Sequence, residues 1–371
     1  MRGASLRRAP AAFWCAAVAA AGCARVPDMT SSALLGGCQR AVLVGAATGS
    51  ATTVTWISPV DAGDRAELVD WCGTVGPALV APSPARPTAD RIDALALVTW
   101  NQHVGGGDLR GLVADLRAGA LTEGVPVDHF VLLLQETYRT GPAVPADPPA
   151  SAPIPGRIES SPGAGRPRED IRAVAGALGL AFFYAPSMRN GRESGGQPAE
   201  DRGNAILSTL PLHDFRVVTL PFERQRRATV TATARLPDGL GGHTDVGLSS
   251  LHLDVWPATV PSLLDGSRRI RQSSAFLAVL GGDSLPTVVG ADLNALSSGD
   301  PHVELFRARW PGSEVPTSCR TRGLFCTDYL FAGGFTAWDV SPARVIVESY
   351  GSDHHPVVSL ATRRVATAVR R

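Results

Sequence analysis

Apolar and polar positions along this chain change period repeatedly, and each change predicts an element. Residues 93–101, DALALVTWN, form an apolar run that becomes polar at its last position, as a strand buried on both faces does. Residues 108–121, DLRGLVADLRAGAL, place apolar side chains at helical spacing behind Asp108, a plausible cap. Residues 129–136, HFVLLLQE, are a second buried strand, ending at Gln135 and Glu136. Strands are predicted again at 202–212, 227–237, 244–255, 286–296, 328–335, 343–349 and 354–361, with helices at 169–179, 267–282 and 302–310. Interleaved strands and helices predict an α/β (α+β) domain whose sheets are covered.

The flanks read differently. Residues 1–22 carry Arg2, Arg7 and Arg8 and then an Ala-rich apolar stretch too short to span a bilayer, which predicts a signal peptide. The stretch ends in AAGC, a lipobox-like sequence, so Cys23 is a candidate for lipidation and membrane attachment. The expectation is an exported protein of the periplasm or cell envelope. Residues 23–90 read as an N-terminal appendage and linker: 41–57 have a strand–turn–strand look, and 80–90 are Pro-rich. Residues 91–365 would be the main domain, interrupted at 140–170 by a Pro-, Gly- and Ser-rich loop.

Composition narrows the options. The 371 residues are 44% hydrophobic, enough for a substantial core, and the formal charge is +1. All 35 basic residues are Arg, and the even charge balance excludes a surface coated for indiscriminate nucleic-acid binding. In an oxidising compartment Cys38, Cys72, Cys319 and Cys326 would pair locally as 38–72 and 319–326; three pairings are formally open. With no CxxC, a zinc ribbon is excluded.

The candidate chemistry lies where strands stop. Asn101, Glu136, His252 with Asp254, Asp292 with Asn294, and Asp353 with His354 are polar ends of apolar runs, and strand ends from one edge of a sheet share a mouth. Carboxylates and carboxamides without thiolates suit Mg²⁺ or Mn²⁺, for which Asn101 and Glu136 would suffice as a primary site. Histidines set apart from those ligands would face a phosphate, with an Asp orienting water for in-line attack.

The segments TWNQHVG, LLLQETYR, RGNAILST, SSLHLD, GADLNAL, TDYLFA and SDHHPVV occur in an order that resembles the endonuclease/exonuclease/phosphatase family with its DNase I-like fold. The resemblance spans about residues 93–362. It implies a four-layer sandwich of two mixed β-sheets flanked by helices, with the site at one edge. It further implies Asn101, Glu136 and Asp353 as metal ligands, His252 as a phosphate contact, and Asp292 and Asn294 as the pair that orients water and transition-state oxygens. Asp328 would support the site histidine, and Asp353 would pair with His354 and set its tautomer. Tyr138, Asn204 and Arg227 are candidate substrate contacts. His355 is expected to face away, because neighbours in a strand point to opposite sides. His103 reads as a loop histidine and Asp254 as a strand-end polar group.

The resulting expectation is an Mg²⁺- or Mn²⁺-dependent hydrolase of phosphate esters, of the phosphodiesterase or nuclease class, with nucleic acid favoured as substrate. Arg clusters at 224–227 and 268–271 are the local basic features available for that. A phospholipid-headgroup (sphingomyelinase-like) hydrolase, a small-molecule phosphatase and a non-catalytic binding module on the same fold are the alternatives. No protein partner is inferred.

Overall fold

The computed structural model describes residues 26–31, 38–44, 53–86, 89–146, 167–190, 199–255, 267–281, 284–311 and 320–364. The predicted signal peptide, Cys23, Cys319 and most of the Pro-rich loop lie outside them. Two mixed sheets stack face to face. The first comprises β1 (Met29–Ser31), β3 (Thr55–Pro59), β9 (Leu212–Thr219), β10 (Ala228–Pro237), β11 (His243–His252), β12 (Thr287–Asp292) and β13 (Asp328–Gly333), in that order. The second runs β14 (Trp338–Val340), β16 (Val357–Arg363), β5 (Ala94–Asn101), β6 (Phe130–Thr140), β8 (Glu200–Ser208), β7 (Ala181–Arg189), β4 (Ala78–Ala81) and β2 (Ala41–Leu43), with β15 (Arg344–Val345) on β16.

The helices complete the four layers. Helices α2 (Leu109–Ala118) and α3 (Ile171–Leu178) cover the outer face of the second sheet, and α4 (Ser267–Leu280) and α5 (Pro301–Arg309) cover that of the first. Strand β6 explains why its sequence is apolar without interruption. Val131 and Leu133 enter the core between the sheets, while Phe130, Leu132 and Leu134 enter the core beneath the helices. Each fully buried side chain of this kind contributes roughly 1.5–3 kcal/mol. The predicted cap holds: the Asp108 carboxylate accepts from the Gly111 amide at 2.9 Å.

The N-terminal segment departs from expectation. Residues 41–57 are not a hairpin, because β2 pairs with β4 in one sheet and β3 pairs with β9 in the other. The described part of 23–90 therefore supplies edge strands to both sheets rather than an appendage. It also contributes α1 (Ala62–Cys72), which is bound through the Cys38–Cys72 disulfide expected from the sequence. Cys326 is also disulfide-bonded. Strands β7 and β9 have no counterpart in the pattern-based expectation; β7 is buried along its whole length and shows no alternation.

Between the sheets the apolar core gives way to a polar belt near one edge. The Gln135 amide donates to the Leu133 carbonyl at 3.0 Å and across the gap to the Ser250 hydroxyl at 3.0 Å. Asn204 donates across the gap to the Ala228 and Ser250 carbonyls at 3.0 and 3.3 Å. The sheets approach so closely here that a Cβ on Gly290 would lie 2.6 Å from that of Leu133. This belt is the floor of the site.

Candidate active site

Strand register builds half of the site. His252, Asp292 and Asp328 are partners in one row across β11, β12 and β13, so three functional side chains stand abreast at one sheet edge. Facing them, Asn101 ends β5 opposite Gln135 of β6. Strand β6 then bulges between Leu134 and Thr137, where two residues oppose the single Asn204 of β8. The bulge turns Gln135 into the belt and sends Glu136, at φ +48°, into the mouth. A left-handed carboxylate residue in a strand is strained, and here the strain re-aims the side chain.

The turn carrying Asp353 and His354 is clamped to β5. The Ser352 hydroxyl donates to the Asn101 carbonyl at 2.7 Å and accepts from the His354 amide at 3.1 Å, while Trp100 Nε1 donates to the His354 carbonyl at 3.1 Å. His354 and His355 thus precede β16 instead of lying within it. They still diverge, since His355 Nδ1 meets the Ile346 carbonyl at 3.1 Å, away from the mouth.

One carboxylate oxygen is the focus. Asp292 Oδ2 accepts from Asn101 Nδ2 at 2.9 Å and lies 3.4 Å from His252 Nε2 and 3.9 Å from His354 Nε2. Its other oxygen accepts from the Asn294 amide at 2.9 Å, closing a local turn that holds Asn294 at φ +49°. The Asn294 side chain donates to the Leu253 carbonyl at 3.0 Å. Burial, and then the neighbouring Asp328 carboxylate, push Asp292 up to about 6 against the pull of His354 and Asn101.

The two site histidines are driven apart. Burial pushes His354 down, but Asp328, 2.8 Å from Nδ1, and the Asp292 and Asp353 charges outweigh it and raise it to about 9. His252 lacks such a partner: burial, then the Arg227, His354, Arg202 and Arg322 cations, hold it well below the usual imidazole range. Near neutrality His354 is an imidazolium and His252 a neutral ring.

The acid that orients His354 is Asp328, not Asp353 as expected. Asp328 reaches Nδ1, whereas Asp353 Oδ1 stands 3.8 Å from Nε2. Asp328 is itself fixed by the Thr327 hydroxyl at 2.7 Å and, through its backbone amide, by Thr321 at 2.9 Å. Asp353 is instead held by His103 at 2.9 Å and Arg322 at 2.8 Å. Burial raises its carboxyl, but the His103 contact and the His354, His103 and Arg322 charges outweigh that and hold it well below the usual range.

Two of the expected substrate contacts are engaged elsewhere. Asn204 braces the sheets, because its amide is committed to two backbone carbonyls. The Tyr138 hydroxyl donates to Glu200 at 3.2 Å, and its ring lies under the Arg168 guanidinium. Arg227, the third, is buried beside the site, 3.8 Å from Asp254. Asp254 is a loop staple, accepting from the amides of Arg224, Gln225 and Val255. Within the expected basic clusters, Arg226 is buried on the Pro186 and Ser187 carbonyls and Arg271 pairs with Asp64 and Glu223, while Arg224 is exposed.

Sequence reading missed several residues. His103 bridges two predicted metal ligands, its amide donating to Asn101 Oδ1 at 2.9 Å while its ring contacts Asp353. Arg202, Arg322 and the Thr321–Thr327 brace were also not anticipated. The positive φ at His103 and Val104, which folds this loop back, has no counterpart in the residue types.

Among solved structures, the chain is similar to an endonuclease/exonuclease/phosphatase from Beutenbergia cavernae, with 20% identity over 73% of this chain and 72% of that one, and a TM-score of 0.47. It is similar also to the human Nocturnin catalytic domain with bound sulfate (16% identity, 74% and 97% coverage, TM-score 0.44). Sphingomyelinase C from Streptomyces griseocarneus is a third such structure (16% identity, 72% and 99%, TM-score 0.33). No curated protein matches the chain in sequence. Residues 98–354 match the Endonuclease/Exonuclease/phosphatase family, and the match runs from the end of β5 to His354, so it takes in every strand end of the site. The chain belongs to the Endonuclease/Exonuclease/phosphatase family, whose name covers nucleases and phosphatases, both of them hydrolases of phosphate esters.

Proposed function

We propose that this protein is an Mg²⁺- or Mn²⁺-dependent phosphodiesterase that hydrolyses its ester by in-line attack of water. The observation that carries the reading is the convergence on Asp292 Oδ2 of one amide and two imidazoles held in opposite protonation states. A carboxylate raised toward neutrality beside an imidazolium is suited to position and deprotonate water while a neighbouring proton donor faces the phosphoryl group.

The donor set fits a hard divalent cation. Glu136 presents a carboxylate whose nearest ion-pair partner, Arg202, is 3.8 Å away, and Asn101 and Asp353 add oxygen ligands, with no thiolate among the three. Asp292, Asp328 and His354 also lie close enough to share an ion. The hydrogen bond between His354 Nδ1 and Asp328 favours an orienting role for that pair. When bound at Asn101, Glu136 and Asp353, the metal would draw negative charge off the phosphoryl oxygens.

The remaining steps belong to the chain. Asp292 orients the attacking water and receives its proton. His354, held by Asp328, keeps a proton on Nε2 and hydrogen-bonds a phosphoryl oxygen with it, while the ester P–O bond opposite the water breaks and the leaving oxygen takes its proton from solvent. His252 and Asn294 stand beside the same position as neutral groups. Export and attachment through Cys23 belong to this proposal as well. Purified protein assayed on a chromogenic phosphodiester, phosphomonoesters, plasmid DNA and phospholipid vesicles tests the reading. Mg²⁺-dependent turnover that chelator abolishes and manganese restores is the expected result; turnover indifferent to chelator, or none on any ester, would overturn it.

A further inference from the structure

Among the described residues, several buried arginines give their guanidinium groups to close oxygen acceptors. Arg139 gives its guanidinium to both Asp201 oxygens and the Pro77 carbonyl. Arg226 donates to the Pro186 and Ser187 carbonyls, and Arg189 to those of Pro145 and Ala146. A guanidinium removed from water needs such acceptors, because a buried donor without one costs its full desolvation penalty.

Arg202 and Arg227 have looser contacts. Arg227 is 4% exposed, and its oxygen contact, the Asp254 carboxylate, stands off at 3.8 Å, where Arg226 and Arg189 reach carbonyls directly. Arg202 is 8% exposed; it reaches only the Met188 sulfur at 3.3 Å, with Glu136 at 3.8 Å. The fold brings the two together across the gap between the sheets. Asn204, two residues along β8 on the same face as Arg202, donates to the carbonyl of Ala228, the residue after Arg227. Both cations act on His252, and each depresses it. The pair therefore adjoins the site where a phosphoryl group would react.

We infer that Arg202 and Arg227 form a socket for a second anionic group of the substrate, a terminal phosphate next to the scissile ester, so that the preferred substrate is a small ester bearing two phosphates. This deepens, and rests on, the phosphoesterase reading. Guanidinium forks match phosphate oxygens two at a time, and a dianion would satisfy both at once. The near-complete burial of both side chains suits a chain end and not a strand passing through.

The first test needs no turnover. Calorimetry on the full chain in chelator should show inorganic pyrophosphate binding that Arg202→Gln or Arg227→Gln weakens by about tenfold or more. Arg227→Met should melt at or above the wild type, because it removes a loosely paired buried charge, whereas Arg139→Met should melt below it. Arg227→Lys, which keeps the charge without the fork, must also weaken pyrophosphate. Absent pyrophosphate binding, or an Arg227→Met loss as large as that of Arg139→Met, would overturn the socket.

The second test uses the Mg²⁺-loaded enzyme. A dinucleotide carrying a 5′-terminal phosphate should exceed the same dinucleotide without it by about tenfold or more in kcat/KM, and Arg202→Gln should shrink that ratio. Equal rates, or nicking of closed circular plasmid as efficient as cleavage of the phosphorylated dinucleotide, would overturn the inference while leaving the phosphoesterase reading intact. Pyrophosphate binding without turnover of any ester would do the reverse.

Discussion

Two clusters of buried charge lie only a few residues apart along β6 and β8, and they are built on opposite principles. Around Asp201, every polar atom is used: Arg139 forks onto it, the Tyr184 hydroxyl donates at 2.8 Å, the Gly76 amide donates at 2.9 Å, and Arg139 also stacks on the Tyr184 ring. At the mouth, the contacts are longer and incomplete. Asp292 meets His252 at 3.4 Å and His354 at 3.9 Å, Glu136 meets Arg202 at 3.8 Å, and Arg227 meets Asp254 at 3.8 Å. A closed cluster neutralises its charges internally and contributes to stability. An open one leaves charge and hydrogen-bonding capacity for something that arrives from solution, at a cost the rest of the fold must offset.

The largest expected effect is at the open cluster. His354→Ala should lower kcat/KM on a phosphodiester by roughly 10²–10⁴-fold, as loss of a positioned acid does, with the circular-dichroism spectrum unchanged. A variant retaining full activity would remove His354 from the chemistry. Next is the closed cluster. Arg139→Met strands the Asp201 carboxylate in the interior and should cost on the order of 3–5 kcal/mol in urea unfolding. A loss below about 1 kcal/mol would mean that the two clusters do not differ as described.

The pH profile sharpens the contrast between Asp292 and His354. Activity needs Asp292 ionised and His354 protonated, so kcat/KM should rise through about 6, level off, and fall through about 9. Asp328→Asn removes a charge that lifts both groups, so it should draw the alkaline limb downward and move the acid limb down with it. An alkaline limb that stays put in this variant would assign it to another group. The smallest effect is at His355, whose ring is engaged with the Ile346 carbonyl. His355→Ala should retain activity within about twofold, as ordinary substitutions away from a site do. A loss comparable to that of His354→Ala would show the two histidines acting together.

Much of this was legible from residue types. Apolar runs broken by a polar residue located the ends of β5, β11 and β12, whereas in β6 the polar residues Gln135 and Glu136 mark a bulge and the strand continues to Thr140. The ordered motifs from Asn101 to His354 gave the family and the four layers. His354 and His355 were separated correctly, though through a turn and not through strand alternation.

The rest depended on contacts between residues distant in sequence. Nothing local distinguishes Asp328 from Asp353 as the partner of His354; the pairing is decided where β13 starts beside β12 and by the clamp of Ser352 on Asn101. His103 looks like any loop histidine until its loop folds back onto Asn101 and Asp353. Arg226 and Arg227 are adjacent and chemically identical, yet one donates to backbone carbonyls while the other stands 3.8 Å from Asp254 and acts on His252. The sequence by itself determined which groups exist at the strand ends, since periodicity and burial are properties of short segments. Only the tertiary structure decided which group faces which, and therefore which proton each one holds, because pKa and hydrogen-bond satisfaction depend on neighbours that chain order does not reveal.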